Sequence, residues 1–410
     1  MRISECRICG SDLYKFLSLG EMPLANSFLN KDHVNGDEET FPLDMCLCEV
    51  CGLVQLDYLV PQDKMFRNYI YFSSTSDVLQ EHFSEMAKEV VERFLSKGAF
   101  VVEIASNDGI LLRHFQRMNM RVLGIEPAEN IARFATGHGI ETLNEYWSSK
   151  IAEQILRSYD KADVILANNV IGHVHDLHDF TKGISLLLKD DGIAIIQVQY
   201  LIDLIENLEY DTVYHEHVSY ISLHPVMRLM EKYGLHVFDV KRFPDIHGGS
   251  IRFYISKKNE QDRVNDLLKY ESRNGFLSRA KYDEFSKSVA VHKSKITKLL
   301  YDLKRNRKRI AGYGAAAKAN TMLNYCGIGS DVIEYIADKS AHKQGLYTPG
   351  TRIPVVPPEK ILEDMPDYVV ILAWNFADEI IGQLKDYSEK GGVFIIPIPD
   401  PRILNAGEIA

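Results

Sequence analysis

The sequence predicts an α/β protein with two open, largely parallel sheets, each covered by helices on both faces, behind a small metal-holding segment. Three observations predict it. Short runs of Val, Ile and Leu, too apolar for half-exposed strands, alternate with helical stretches from residue 100 onward. The alternation pauses over a charged helical stretch and resumes at Arg309. Ahead of both lies a segment with four cysteines in two Cys-x-x-Cys pairs.

The cysteines come first along the chain. Gly10 follows Cys6-x-x-Cys9, and Gly52 follows Cys48-x-x-Cys51. A tight turn after each pair lets two thiolates converge on one ion. Four thiolates close a tetrahedral zinc site and leave no position for water. Cys6, Cys9, Cys48 and Cys51 are therefore the expected ligands of a structural zinc that staples a segment short of its own core. Cys46 is near enough to compete, but Cys48 keeps the spacing. Leu53-Val54-Gln55-Leu56 reads as a short strand. Val78, Leu79, Phe83, Met86, Val90, Val91 and Phe94 then recur at helical spacing.

Phe100-Val101-Val102-Glu103-Ile104 reads as a buried strand. It runs into the turn Ala105-Ser106-Asn107-Asp108-Gly109, with a helix from Ile110. Such a turn brings a ligand against backbone amides at a helix start. Ala105 and Asn107 stand where glycines are common. The second strand, 122–125, ends at Glu126, an acid placed to accept hydrogen bonds from ribose hydroxyls. Glu103 suits a ligand carrying an ammonium and a sulfonium rather than a pyrophosphate. A third strand, 163–166, runs into Asn168. Glu103, Ala105, Asn107, Gly109, Glu126 and Asn168 are the expected cofactor-binding residues. Strands at 192–198 and 251–255 complete the first unit.

Three histidine clusters follow strand ends. They are Gly172-His173-Val174-His175-Asp176, Tyr214-His215-Glu216-His217 and His247-Gly248-Gly249-Ser250. A neutral imidazole takes a proton near pH 7, and an adjacent carboxylate can orient it. Two blander readings stand beside this one. The histidines are ordinary surface or core residues, or His215-x-His217 or His173-x-His175 holds a second metal, since imidazoles two apart on a strand share a face.

Phe285, Val289, Ile296, Leu299 and Leu303 mark one buried stripe on a connecting helix. Beyond it, Gly312-Tyr313-Gly314-Ala315-Ala316-Ala317-Lys318 links a strand to a helix. The turn fits NAD, with Asp338 as a late ribose acid, or a substrate diphosphate held by amides and Lys318, or bare strand–helix packing. Strands at 332–337, 368–373 and 393–396 follow. The expected divisions are 1–70 for zinc, 71–260 for the cofactor, 261–307 as helical connector and 308–410 as a second α/β domain.

The net charge of −10 and pI near 5.8 count against a nucleic-acid partner. No apolar run approaches the roughly 20 residues that span a bilayer. Met1-Arg2-Ile3-Ser4-Glu5-Cys6 carries no apolar signal core. A cytoplasmic protein with no membrane partner is expected, as monomer or homodimer.

Taken in order, the cysteine pairs, Glu103 to Gly109, Tyr214-His215-Glu216-His217, His247-Gly248-Gly249-Ser250, Gly312 to Lys318 and Leu323-Asn324-Tyr325-Cys326-Gly327-Ile328 resemble one family. The chain is similar over essentially its whole length to the zinc-containing nucleotide-sugar C-methyltransferases, such as those acting at C-3 in tetronitrose or mycarose biosynthesis. The resemblance implies a Rossmann-like class I methyltransferase domain with S-adenosylmethionine, and a C-terminal Rossmann-like domain that holds a nucleotide-sugar. It implies catalytic roles for Tyr214, Glu216, His217 and His173, with a further hydroxyl from Tyr69 or Tyr71. His247, Tyr313 and Lys318 are implied on the substrate side. The implied reaction starts from a nucleotide-linked 4-keto-deoxysugar. His217, positioned by Glu216, removes the C-3 proton, and Tyr214 or His173 donates to the enolate oxygen. A sugar O- or N-methyltransferase, an NAD-dependent sugar oxidoreductase and a non-enzymatic zinc-ribbon adaptor are the competing readings.

Overall fold

In the computed structural model, which describes residues 1–66, 77–246, 248–258 and 264–405, the strands form three sheets. Strands β1 (Tyr14–Pro23), β2 (Thr40–Leu47) and β3 (Val54–Leu56) form an antiparallel N-terminal sheet. Its fourth strand is Ser219–Tyr220, from much later in the chain, paired antiparallel to β3. Nearly every inward residue of β2 and β3 is buried, so the segment shares one apolar core with the central unit rather than standing apart.

The central sheet starts with β4 (Phe100–Ile104), β5 (Arg121–Ile125) and β6 (Thr142–Leu143). It continues through β7 (Ala162–Asn168) and β8 (Leu188–Gln199). With Ser219–Tyr220 as β9, the hairpin β10 (His236–Phe243) and β11 (Ser250–Ser256) closes the other edge. The order is β10-β11-β8-β7-β4-β5-β6. Strands β4 to β8 pair in parallel. β11 runs antiparallel to both neighbours, which corrects the expectation of a parallel strand at 251–255. The reason is local: β10 and β11 are joined by a short turn, which permits only antiparallel pairing.

The order reverses at β4, which has β5 on one side and β7 on the other. At such a switch point the loops after neighbouring strands splay apart and leave a crevice at the strands' C-terminal ends. Glu103 and Asn168 stand at that edge.

Helix Arg279–Arg305 buries Tyr282, Phe285, Val289, His292, Ile296 and Leu300 on one face. Phe16 of β1 meets Tyr282 at 4.8 Å between ring centroids. The helix therefore packs on the N-terminal sheet as well as leading to the last unit. That unit contains β12 (Ile310–Tyr313), β13 (Ile336–Ala337), β14 (Val355–Val356), β15 (Tyr368–Ile371), β16 (Val393–Ile396) and β17 (Arg402–Leu404). Its order is β14-β13-β12-β15-β16-β17, parallel except for β17. No helix among the described residues is long and apolar enough to cross a membrane.

Candidate active site

The two cysteine pairs meet. Cys6 Sγ lies 3.4 Å from Cys51 Sγ, and Cys9 Sγ lies 3.4 Å from Cys48 Sγ. All four sulfurs lie within 4.8 Å of one another. Tetrahedral zinc with ordinary Zn–S bonds holds its sulfurs roughly 3.8 Å apart, so the set fits the ion. Gly10 and Gly52 adopt φ of 74° and 78°, which lets the chain turn back after each pair. Cys46 is buried outside the cluster.

The turn after β4 is conformationally unusual. Ala105, Asn107 and Gly109 have φ of 51°, 48° and 74°, so alternate residues are left-handed. Gly109 tolerates this without strain, and an added Cβ there would crowd Ile140 at 3.0 Å. Ala105 bears the cost that glycine would avoid. Glu126, 5% exposed, accepts hydrogen bonds from the Asn107 amide at 3.0 Å and the Ala128 amide at 2.9 Å. It thereby ties the end of β5 to the turn.

Glu103 is 4% exposed, and one carboxylate oxygen accepts from Asn168 Nδ2 at 3.3 Å. The other oxygen, and Asn168 Oδ1, are buried acceptors without a hydrogen-bond partner among the described residues. A buried acceptor left unpaired is costly. This edge thus asks for a ligand that brings donors or positive charge. Burial raises the Glu103 carboxyl to about 8, with Asp108 and Glu126 adding to the rise and Asn168 opposing it.

Directly after β7 the chain makes a turn at Ile171–His173. His173 Nδ1 lies 2.8 Å from the Glu216 carbonyl, which can only accept, so Nδ1 carries the proton and Nε2 the lone pair. Burial pushes His173 down to about 4, so the ring is neutral at pH 7. A carbonyl fixes the Nδ1 proton of His217 as well. Its Nδ1 donates to the Thr212 carbonyl at 2.9 Å, and its Nε2 accepts from the Tyr214 hydroxyl at 2.9 Å. The His173 and His217 rings meet edge to face at 4.9 Å, and the Tyr214 and His217 rings lie 4.0 Å apart.

Two expectations change here. The group that orients His217 is the Thr212 carbonyl, not the Glu216 carboxylate, which accepts from Asn26 Nδ2 at 2.6 Å instead. Burial raises that carboxyl to about 7. His173 cannot donate to an enolate, because its one N–H is held by Glu216. The second-metal reading also fails to assemble: His215 Nε2 meets the Phe41 carbonyl at 3.2 Å. The four cysteines are the only group of three or more potential metal ligands among the described residues.

On the C-terminal side, Lys318 donates to Asn375 and lies 4.1 Å over the Trp374 ring. Burial lowers its ammonium to about 8, opposed by the charges of Asp211 and Glu209. Trp374 Nε1 donates to Asp211 at 2.7 Å, which joins this cluster to the Tyr214 segment. Tyr313 is 4% exposed in the apolar core of its sheet, with its hydroxyl 3.4 Å from Gln383. That placement packs its ring into the C-terminal core. Asp338 bonds the amides of Ala315 and Ser340. Tyr69, Tyr71 and His247 lie outside the described residues.

Family models match three successive stretches of the chain. A zinc binding domain covers residues 6–66, a methyltransferase domain 79–240, and a C-methyltransferase C-terminal domain 245–399. The chain is 36% identical to C-methyltransferase NovU of Streptomyces niveus, across 98% of this chain and 97% of that one. The chain belongs to the zinc-containing, S-adenosylmethionine-dependent C-methyltransferases. A shorter stretch is 28% identical to a ubiquinone biosynthesis O-methyltransferase of Azorhizobium caulinodans, over 32% of this C-methyltransferase and 50% of the relative. Magnesium protoporphyrin IX methyltransferase from Synechocystis PCC 6803 aligns over 47% of this chain and 91% of its own, at 10% identity and a TM-score of 0.36. A methyltransferase structure from Clostridium acetobutylicum aligns over 47% and 95%, at 13% identity and 0.35.

The C-methyltransferase fold is thus α/β with a class I methyltransferase unit at its centre, its cysteines hold zinc, and its cofactor is S-adenosylmethionine. The orphaned acceptors of Glu103 and Asn168 fit the ammonium of that cofactor. Two expectations follow. Ala105→Gly removes left-handed strain and stabilises the enzyme by about 1 kcal/mol; a fall in the thermal midpoint of the zinc-loaded protein would contradict the strained turn. A cationic ligand beside Glu103 favours the ionised form, so binding expels a proton. Cofactor affinity then rises with pH up to about 8, by at most about tenfold per unit. Calorimetry between pH 6 and 7.5 reads that slope, and Glu103→Gln abolishes it; a slope retained in the variant assigns the proton elsewhere.

Proposed function

We propose that this C-methyltransferase acts on a nucleotide-linked 4-keto-deoxysugar and adds the methyl group at C-3. The observation that supports this most is the Tyr214–His217 pair at 2.9 Å, at the rim that Asn168 and the turn at His173 share. Carbon is not nucleophilic until it loses a proton, so C-methylation needs a base and a group that accepts the resulting charge. A tautomer-fixed imidazole with a phenol on its lone pair supplies both.

A ketone at C-4 acidifies the C-3 proton, because the electron pair of the broken bond moves onto the ketone oxygen. In the reading proposed here that C–H takes the place of the Tyr214 hydroxyl on His217 Nε2. His217 gains the proton, and the Thr212 carbonyl holds the charged ring through Nδ1. The displaced Tyr214 hydroxyl donates to the enolate oxygen. His173, edge to face with His217, lines the sugar side in this reading, and Glu216 serves the site by holding His173 through its carbonyl and accepting from Asn26. S-adenosylmethionine, when bound, supplies a methyl carbon made electrophilic by its sulfonium. Glu103, Ala105, Asn107, Gly109, Glu126 and Asn168 hold it at the crevice beside β4. Lys318 and the amides opening helix Ala317–Cys326 are proposed to meet the substrate diphosphate. Tyr71 and His247 keep the roles that the family resemblance implies, and the enzyme is read as cytoplasmic.

A sugar O- or N-methyltransferase needs no carbon acid. An NAD-dependent oxidoreductase would use the Gly312 turn, yet the Lys343 ammonium already lies 3.8 Å from Asp338 and donates to the Ala315 carbonyl. The test is solvent deuterium. The wild-type enzyme is expected to wash deuterium into C-3 of an unreacted 4-keto-sugar nucleotide. His217→Asn should lose that exchange and turnover by roughly a hundredfold or more while still binding S-adenosylmethionine. Full exchange in the variant would remove His217 as the base, and methylation without any wild-type exchange would favour transfer to oxygen or nitrogen.

A further inference from the structure

We propose that Arg7, inside the first cysteine knuckle, is a positioning residue that sets the distance between His173 and His217. The proposal rests on the proton-transfer reading of those two histidines. Arg7 lies between Cys6 and Cys9, and its side chain leaves the zinc cluster for the central unit. Nη1 donates to the carbonyls of Val174 at 2.6 Å and His175 at 3.2 Å. Nη2 donates to the Val218 carbonyl at 2.5 Å and to Ser219 Oγ at 2.5 Å. Val174 is the residue after His173, and Val218 is the residue after His217. One planar group thus grips both histidine segments just beyond the imidazoles.

The grip is itself anchored. The Arg7 amide donates to Gln55 Oε1 at 2.9 Å, and Gln55 Nε2 donates to the Glu5 carbonyl at 3.3 Å. Gln55 stands in β3 opposite Ser219 of β9, so the strand that follows His217 is paired to the same sheet that carries the second cysteine knuckle's exit. Between the gripped segments the Val218 amide donates to the Gly172 carbonyl at 2.8 Å, and His173 bonds the Glu216 carbonyl. A guanidinium forks in a fixed plane and serves two acceptors on each side. An ammonium is a point charge and cannot span both segments. The zinc centre therefore holds more than its own loop: through Arg7 its geometry reaches the two imidazoles.

The experiment uses full-length, zinc-loaded Arg7→Ala and Arg7→Lys. It measures zinc per chain, S-adenosylmethionine affinity, and deuterium exchange at C-3 in a panel of dTDP-, GDP- and CDP-linked 4-keto-6-deoxyhexoses. Zinc content and cofactor affinity are expected to stay at wild-type values while exchange slows by about a hundredfold in Arg7→Ala, the penalty typical of a misplaced reacting group. Arg7→Lys should recover little, and millimolar guanidinium should restore part of the exchange to Arg7→Ala only. Exchange equal to wild type in Arg7→Ala overturns the proposal. So does a loss that travels with zinc or cofactor binding and resists guanidinium, since that is plain destabilisation. If the wild-type enzyme exchanges with no member of the panel, the carbon-acid reading fails first and takes this proposal with it.

Discussion

The site depends on how one segment, Glu209 to Tyr220, is pinned. Gln199 at the end of β8 bonds Glu209 and Thr212. From the C-terminal side, His292 bonds Tyr210 and the Pro397 carbonyl, and Trp374 bonds Asp211. From the N-terminal side, Asn26 bonds Glu216, Phe41 bonds His215, and β3 pairs with Ser219–Tyr220. Residues from all three units of the chain therefore bond this segment. Because it is over-determined, its two carbonyls at Thr212 and Glu216 can dictate which nitrogen of each imidazole is basic.

The charge distribution around the segment has a consistent sense. Burial raises the carboxyls of Glu103, Glu209 and Asp211 to about 8, 8 and 6. It lowers the Lys318 ammonium to about 8. Groups displaced toward neutrality in this way regain charge when an opposite charge arrives. A cationic cofactor at Glu103 and an anionic substrate at Lys318 would each recharge its own side.

Much of this was legible in the chain. The cysteine pairs, the strand entering Ala105 to Gly109 and the acids at Glu103 and Glu126 follow from local pattern, and the structure brings each group together. Other features have no local signal. β9 is two residues long and exists because β3 is beside it. β1 loses its alternation at register shifts between Lys15 and Leu17 and between Ser18 and Glu21, so its ten residues do not read as a strand. A carbonyl such as that of Thr212 is invisible to residue chemistry, which is why a neighbouring carboxylate was the expected partner of His217. Arg7 reads as a surface charge until Val174 and Val218 are folded against it.

The tautomer of His217 carries the proposed chemistry, since a lone pair on its Nε2 is what would take a proton from carbon, and His173 beside it obeys the same carbonyl constraint. Nitrogen-15 spectra of the histidine-labelled, zinc-loaded enzyme at neutral pH read both rings directly. Both rings are predicted to carry a proton on Nδ1, and His173 to be neutral. A His217 protonated on Nε2 alone, or an imidazolium at His173, would contradict the account.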